Sequence, residues 1–304
     1  MSTAKRTLDP KKVPLGITPT LWWNDDFLSI DIDIPFGQCV SEMARAGFHG
    51  CSIGHKYPKD PVVLKRELDL RGLRVSEPWT STYFTNKGMK QQTVASFQKE
   101  MAFIKSLGAS DMVVAEFGGA VNPLPVALFA NRPIFDTKQW DDLFEGLNHL
   151  GRISNENQMR LCYHPHMGTG VMIKEDVDRL MANTDPKLVH LLLDTGHLAF
   201  AGADPLEVTL QYGKRIKHIH LKDVRADIVK KVRDENLSFQ DGIEDGVFTV
   251  PGDGAIDFVP IFEALAAADF EGWLVVEAEQ DPAKANPLQY AKMAREYLRK
   301  KLGW

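Results

Sequence analysis

The stretch VHLLLDTGHLAFAGADPLEVTLQYGKRIKHIHLKD, residues 189–223, carries the repeating unit that decides the fold. It opens with a short apolar run that ends on a carboxylate, VHLLLDTG (189–196), and closes with a second such run, IKHIHLKD (216–223). Between them DPLEVTLQYGK (204–214) begins with Asp and Pro, an N-cap residue followed by the residue best suited to a first helical turn. The order is strand, helix, strand. Runs that are apolar on both faces need cover on both faces, which implies a parallel sheet flanked by helices.

The same alternation extends over the chain. Strand-like runs recur at 15–22, 50–54, 73–79, 111–117, 159–166, 189–196, 216–223 and 273–280. Helical periodicity is expected over 60–72, 90–108, 137–157, 174–184, 204–214, 257–269 and 287–303. Eight strand units predict an α/β fold of the closed (β/α)8 TIM barrel type, with a doubly wound sheet as the alternative. The polar residues 1–14 are expected to form a flexible N-terminal segment and 15–304 a single barrel domain. Two segments break the rhythm, near 118–136 after the fourth strand and near 225–257 after the seventh. Both follow strand C-termini, where such barrels build active sites, so both are candidate covers for a substrate.

Composition narrows the partners. The 304 residues are 44% hydrophobic and 25% charged with a net charge of −5, and no basic run is interleaved with aromatics. Nucleic acid is therefore an unexpected partner. No apolar run has the length to span a bilayer, and the N-terminus has no signal-peptide core, so no membrane association is expected. Cys39, Cys51 and Cys162 are too few and too scattered for a disulfide framework, which points to the reducing cytoplasm. The composition is compatible with a homo-oligomer that acts on a small molecule.

The chemistry lies at strand ends. Residues two apart on a strand face one side, which pairs His164 with His166, His218 with His220, and Glu277 with Glu279. Glu116, Asp194 and Glu277 each directly follow an apolar strand run, where a carboxylate is costly to desolvate unless a cation meets it. Asp194 and His220 are one strand–helix–strand step apart, His164 lies one step earlier, and Glu277 is on the last strand. Together His164, Asp194, His220 and Glu277 read as one site for a divalent ion such as Mn²⁺, Co²⁺, Mg²⁺ or Zn²⁺. Single residues have plainer readings. His190 and His218 read as hydrogen-bonded core histidines, Glu279 and Asp281 as rim charges in water, and Trp22, Trp23 and Trp79 as core or as stacking surfaces for a sugar-like ring.

The motifs WNDD (23–26), KYPKDPVVL (56–64), EGLNHLG (145–151), YHPHMGTGV (163–171), HLLLDTGH (190–197), RIKHIHLKD (215–223), FTVPGDGAIDF (248–258) and GWLVVEAEQDPAKANPLQYA (272–291) span nearly the whole chain. Through them the sequence resembles the inosose dehydratase family, within the xylose isomerase-like TIM barrels. The resemblance implies a barrel that uses Mn²⁺ or Co²⁺ to eliminate water from a cyclic polyhydroxy ketone, 2-keto-myo-inositol, in inositol catabolism. In related isomerases the ligands are Glu, Asp, His and Glu; Asp194, His220 and Glu277 match the last three, and His164 stands at the first. The dehydratases generally carry Glu at Ser52, Gln at Phe117, Gly at Trp22 and His at Pro165. Metal-assisted elimination needs a base and an acid, for which Glu116, His166 and His197 are the candidates. Trp23, Asn24, Trp79 and Lys222 are candidate substrate contacts. The alternative is an isomerase or epimerase of a keto-sugar or inosose, which would reprotonate the same enediolate.

Overall fold

Strands with no polar face have no stable place in an open, one-sided sheet, and in this protein they curl into a ring. The structure is a computed structural model that describes residues 6–24 and 27–304. Asp25 and Asp26 of the WNDD motif lie outside the described residues, as do residues 1–5.

The strands are β1 (Leu15–Ile17), β2 (Gly50–Cys51), β3 (Arg74–Val75), β4 (Trp79–Thr82), β5 (Asp111–Glu116), β6 (Arg160–Tyr163), β7 (Val189–Asp194), β8 (Ile216–Leu221), β9 (Asp223–Val224), β10 (Phe248–Thr249) and β11 (Leu274–Val276). Nine of them form one sheet in the order β3-β2-β1-β11-β8-β7-β6-β5-β4. Every pairing within that sheet is parallel. The two edge strands, β3 and β4, are successive pieces of the single run expected at 73–79. The first piece pairs with β2, the second with β5, and the chain through Ser76–Pro78 closes the ring. Pro78 has no N–H to give a ladder, which explains the division. Beside the break Ser76 N–H donates to Cys51 O (2.9 Å) and Ile53 N–H to Glu77 O (3.1 Å). The barrel therefore has the eight expected positions, with the third strand split.

All seven expected helices are present, each trimmed by a few residues at its ends, as Thr137–Glu156 and Pro287–Leu302 illustrate. An eighth, Phe36–Ala46, escapes the sequence reading because no side chain caps its start at Pro35. Residues 6–14 are not a loose tail. Leu8 and Val13 are buried, Gly272 N–H donates to Lys12 O, and Leu274 N–H donates to Pro14 O. Two apolar anchors in a polar segment suffice to dock it.

The two insertions fold together over the end of the ring where the strands terminate. Residues 225–257 contain the helices Ala226–Asp234 and Phe239–Glu244 and the strand β10, which returns antiparallel to β9. Leu128 from the first insertion donates its N–H to Leu237 O of the second (2.9 Å). Val121, Leu128, Phe200, Val232, Phe239 and Phe248 form an apolar cluster separate from the main core. Its aromatic rings reach the strand-end histidines: Phe248 lies 5.0 Å from His197 and Phe239 lies 5.8 Å from His166.

At the opposite end Trp273 packs its ring where β2 begins, and a Cβ on Gly50 would come within 2.3 Å of it. Arg74 covers the same ring at 5.0 Å. Gly50→Ala must displace the indole, and a loss of roughly 1–3 kcal/mol is expected in urea unfolding. An unchanged midpoint and slope would contradict this packing.

Candidate metal centre

Parallel register sets the site. Asp194, the last residue of β7, lies opposite His220 of β8. Val276 of β11 lies opposite Leu221, so Glu277 follows at the same rim. His164 directly follows β6, anchored by its N–H to Val114 O. The ligand atoms of His164, Asp194, His220 and Glu277 all lie within 4.8 Å of one another, and all four residues are buried.

Local hydrogen bonds aim these side chains. His164 Nδ1 lies 2.8 Å from Pro165 O and donates to it, which leaves Nε2 as a lone pair facing Asp194 Oδ2 at 3.4 Å. Asp194 Oδ1 caps the helix Thr195–Ala201 by accepting His197 N–H (2.8 Å), so Oδ2 is left for the centre. His220 Nδ1 approaches Asp194 Oδ2 at 3.6 Å and Glu277 Oε2 at 2.8 Å. Asp194 Oδ2, Glu277 Oε2 and both nitrogens of His220 are buried without a hydrogen-bond partner. Their charged neighbours stand close by without hydrogen-bond geometry, a costly arrangement that a cation among them would relieve. Two imidazoles and two carboxylates are a donor set for a borderline divalent ion, and the four residues fit one. Burial would raise the Asp194 carboxyl, yet Lys222 and His197 hold it well below its usual range. Burial would likewise lower His220, but Glu277 and Asp194 draw its proton affinity well above the ordinary value. The site attracts positive charge.

One carboxylate of this assembly was not singled out in the sequence. Glu77, at the break between β3 and β4, is buried with Oε1 3.4 Å from His220 Nε2 and Oε2 3.1 Å from His218 Nε2. Burial works to raise its carboxyl, but His218 and His220 bring it down to about 2. His218 Nδ1 reaches Asp111 Oδ2 at 3.1 Å, and Asp111 is clamped by Arg160 through two hydrogen bonds of 2.6 and 2.8 Å. A line of charge thus runs through the barrel from its base to His220. The available signal for Glu77 was the Glu-Pro pair inside a strand run.

A cavity of about 710 Å³, including its open mouth, lies over the centre. Asn24, Trp79, His166 and His197 line it, together with Thr18, Thr20, Ser52 and Glu77, which the sequence reading did not single out as contacts. His166 Nδ1 lies 2.9 Å from Met167 O, so its Nε2 is left as an acceptor. Burial, then the neighbouring His164 and Lys222, push its pKa down to about 3. Burial and His166 likewise hold His197 far below its ordinary value, and the two rings lie 3.9 Å apart.

Three expected site residues stand elsewhere. Glu116 is buried beside β4, where its oxygens accept from Thr82 Oγ1 (2.8 Å), Phe84 N–H (3.0 Å), Thr85 N–H (3.1 Å), Thr85 Oγ1 (2.8 Å) and Gly118 N–H (3.2 Å). Its lone pairs are spent on loop architecture, and it does not line the cavity. Trp23 is wholly buried with its ring edge-on to Tyr57 at 6.2 Å, a core role rather than a contact surface. Lys222 is wholly buried behind the ligands rather than in the cavity wall. Glu279, read as a rim charge, is also buried, because Lys222 Nζ meets its Oε2 at 2.8 Å. Of the departures from the dehydratase pattern, Ser52 is in the cavity wall and Phe117 packs on His166 at 5.7 Å. Trp22 turns away to donate to Glu42 Oε2 (2.6 Å).

The family described as xylose isomerase-like TIM barrel matches residues 34–301. An inosose dehydratase of Geobacillus thermodenitrificans is 50% identical over 96% of this chain and 98% of its own length. Another, of Bacillus cereus, is 47% identical over the same shares. The chain belongs to the inosose dehydratase family. Among solved structures, the probable 3-DHS dehydratase AsbF of Bacillus anthracis covers 94% of this chain and 98% of its own at a TM-score of 0.72 and 14% identity. The IOLI protein with a bound zinc atom covers 96% and 98% at 0.68 and 18% identity. At those identities the likeness shows the shared fold.

Glu116→Ala strips an acceptor from five buried donors, and a loss on the order of 3 kcal/mol is expected in chemical unfolding. Metal content of the folded variant should equal that of the wild type. Loss of bound metal would return Glu116 to the centre.

Proposed function

We propose that the chain is a metal-dependent hydro-lyase that removes water from 2-keto-myo-inositol in inositol catabolism, with Mn²⁺ or Co²⁺ as its ion. The observation that supports this most directly is the meeting of four oriented donor side chains at the floor of a cavity that His166 and His197 line. His164, Asp194, His220 and Glu277 would hold a divalent ion, which would supply Lewis-acid polarisation of the substrate's ketone. The rest is the work of the chain.

Asn24, Thr20 and Ser52 offer polar groups along the cavity wall to a ring rich in hydroxyls. Trp79 lies edge-on to His164 and His166 at 5.5 and 5.4 Å and gives the ring an apolar face. His166 keeps an acceptor nitrogen and takes the proton from the carbon next to the ketone. The resulting imidazolium returns that proton to the departing β-hydroxyl, so one water leaves and no net proton is consumed. His197, in ring contact with His166, fixes its position, and Phe239 and Phe248 keep bulk water from the pair. The three thiols are free and buried, which suits the cytoplasm. Among the described residues no helix is long and apolar enough to cross a membrane.

The test is to strip the protein of metal, restore Mn²⁺ or Co²⁺, and add 2-keto-myo-inositol while following the ultraviolet absorbance of the enolised product. Absorbance that rises only with metal is expected; none with any divalent ion removes this substrate. In D₂O, deuterium recovered in the ketone without dehydration would favour the epimerase instead. His220→Ala and Glu277→Ala should lose bound metal, and retained stoichiometry in both would overturn the ligand assignment. His166→Ala should keep its metal and lose about 10²–10⁴ in kcat, together with exchange of the α-proton. Near-normal turnover would exclude His166 as the base.

A further inference from the structure

Beside the metal centre lies a second set of ligand types. His166, His197 and Glu279 bring their donor atoms within 4.8 Å of one another, as the first four residues do. The two sets are contiguous: the His164 ring lies 5.4 Å from that of His166 and 5.2 Å from that of His197. Two imidazoles and a buried carboxylate at that spacing are themselves a plausible donor set for a divalent ion.

A side chain already occupies the junction. Lys222 Nζ lies 2.8 Å from Glu279 Oε2 and 2.9 Å from His197 Nε2, both of the second set. It also lies 3.1 Å from Glu277 Oε2 and 3.5 Å from Asp194 Oδ2, both of the first. Its stem is confined. A Cβ on Gly196 would come within 2.5 Å of Lys222 Cγ, so the glycine makes room for the stem, and the Phe248 ring packs 4.4 Å from the ammonium. Lys222 is 1% exposed.

We propose that the Lys222 ammonium is a built-in monovalent cation that fills a second ion position and restricts the site to one divalent ion. The proposal rests on the metal-centre reading above. It gives Lys222 a role that neither substrate contact nor surface charge explains. An ammonium balances Glu279 and Glu277 but offers no open coordination position and cannot ligate an imidazole. His166 and His197 are thereby kept from becoming metal ligands, and His166 Nε2 is left for proton transfer. A second divalent ion would consume them.

The experiment counts ions. Wild type, Lys222→Met and Lys222→Met/Glu279→Gln are dialysed against excess Co²⁺ and, separately, Zn²⁺, and metal per folded chain is read by elemental analysis and native mass spectrometry. One ion is expected in the wild type, two in Lys222→Met, and one again in the double variant, which lacks the second carboxylate. Two ions in the wild type, or one in folded Lys222→Met, would overturn the proposal. A wild type that binds none would remove the metal-centre reading itself, and the proposal with it, so the two failures are told apart. Lys222→Gln serves where Lys222→Met does not fold. Should neither fold, the wild-type count at saturating metal decides alone.

Discussion

Buried negative charge at one end of the barrel is the constraint on which the rest depends. Glu77, Asp194, Glu277 and Glu279 are all withdrawn from water, the first three around His220 and the last two around Lys222. In a low-dielectric interior such carboxylates persist only where cations and donors meet them. Lys222 and the imidazoles of His218 and His220 meet part of that demand. The oxygens left without hydrogen bonds, Asp194 Oδ2 and Glu277 Oε2, mark where a divalent ion fits. Binding energy for the ion is thus stored in the fold as incompletely satisfied charge.

The fold serves this end of the ring in two ways. Parallel pairing brings the last residues of β7, β8 and the chain after β11 to one level, so ligands from distant sequence positions converge without long loops. The insertions then supply what the strands lack. Their apolar cluster roofs the imidazoles with Phe239 and Phe248, and an imidazole that transfers protons is most effective where bulk water is excluded. Neighbouring environments therefore separate the roles: His164 and His220 face the carboxylates, while His166 and His197 face the cavity and the aromatic roof.

Much of this was legible because the physics is local. A strand–helix–strand step fixes the distance between Asp194 and His220, and period-two alternation fixes which residues share a face. The failures share a different cause. Glu116 satisfies the same pattern as Asp194, an apolar run ending in a carboxylate, but its partners Thr82 and Thr85 lie at the end of the neighbouring strand and in the turn after it, 31 to 34 residues earlier. Glu279 looked solvated because its partner Lys222 is 57 residues away. Glu77 was hidden by the proline that splits its strand. In each case the deciding partner belongs to another strand, and only assembly of the ring reveals it. The departures from the dehydratase pattern sort the same way: Ser52 and Phe117 come to the cavity and its histidines, whereas Trp22 belongs to the packing of the helix Phe36–Ala46.

The proposed function requires one ion held by four side chains from four strand ends. Its most direct test is a crystal structure of the protein soaked in Mn²⁺, with anomalous differences recorded at a wavelength where manganese scatters. One peak is expected within about 2.0–2.3 Å of His164 Nε2, Asp194 Oδ2, His220 Nδ1 and Glu277 Oε2. A peak seated instead among Glu77, His218 and the far nitrogen of His220, or no peak at saturating metal, would contradict it.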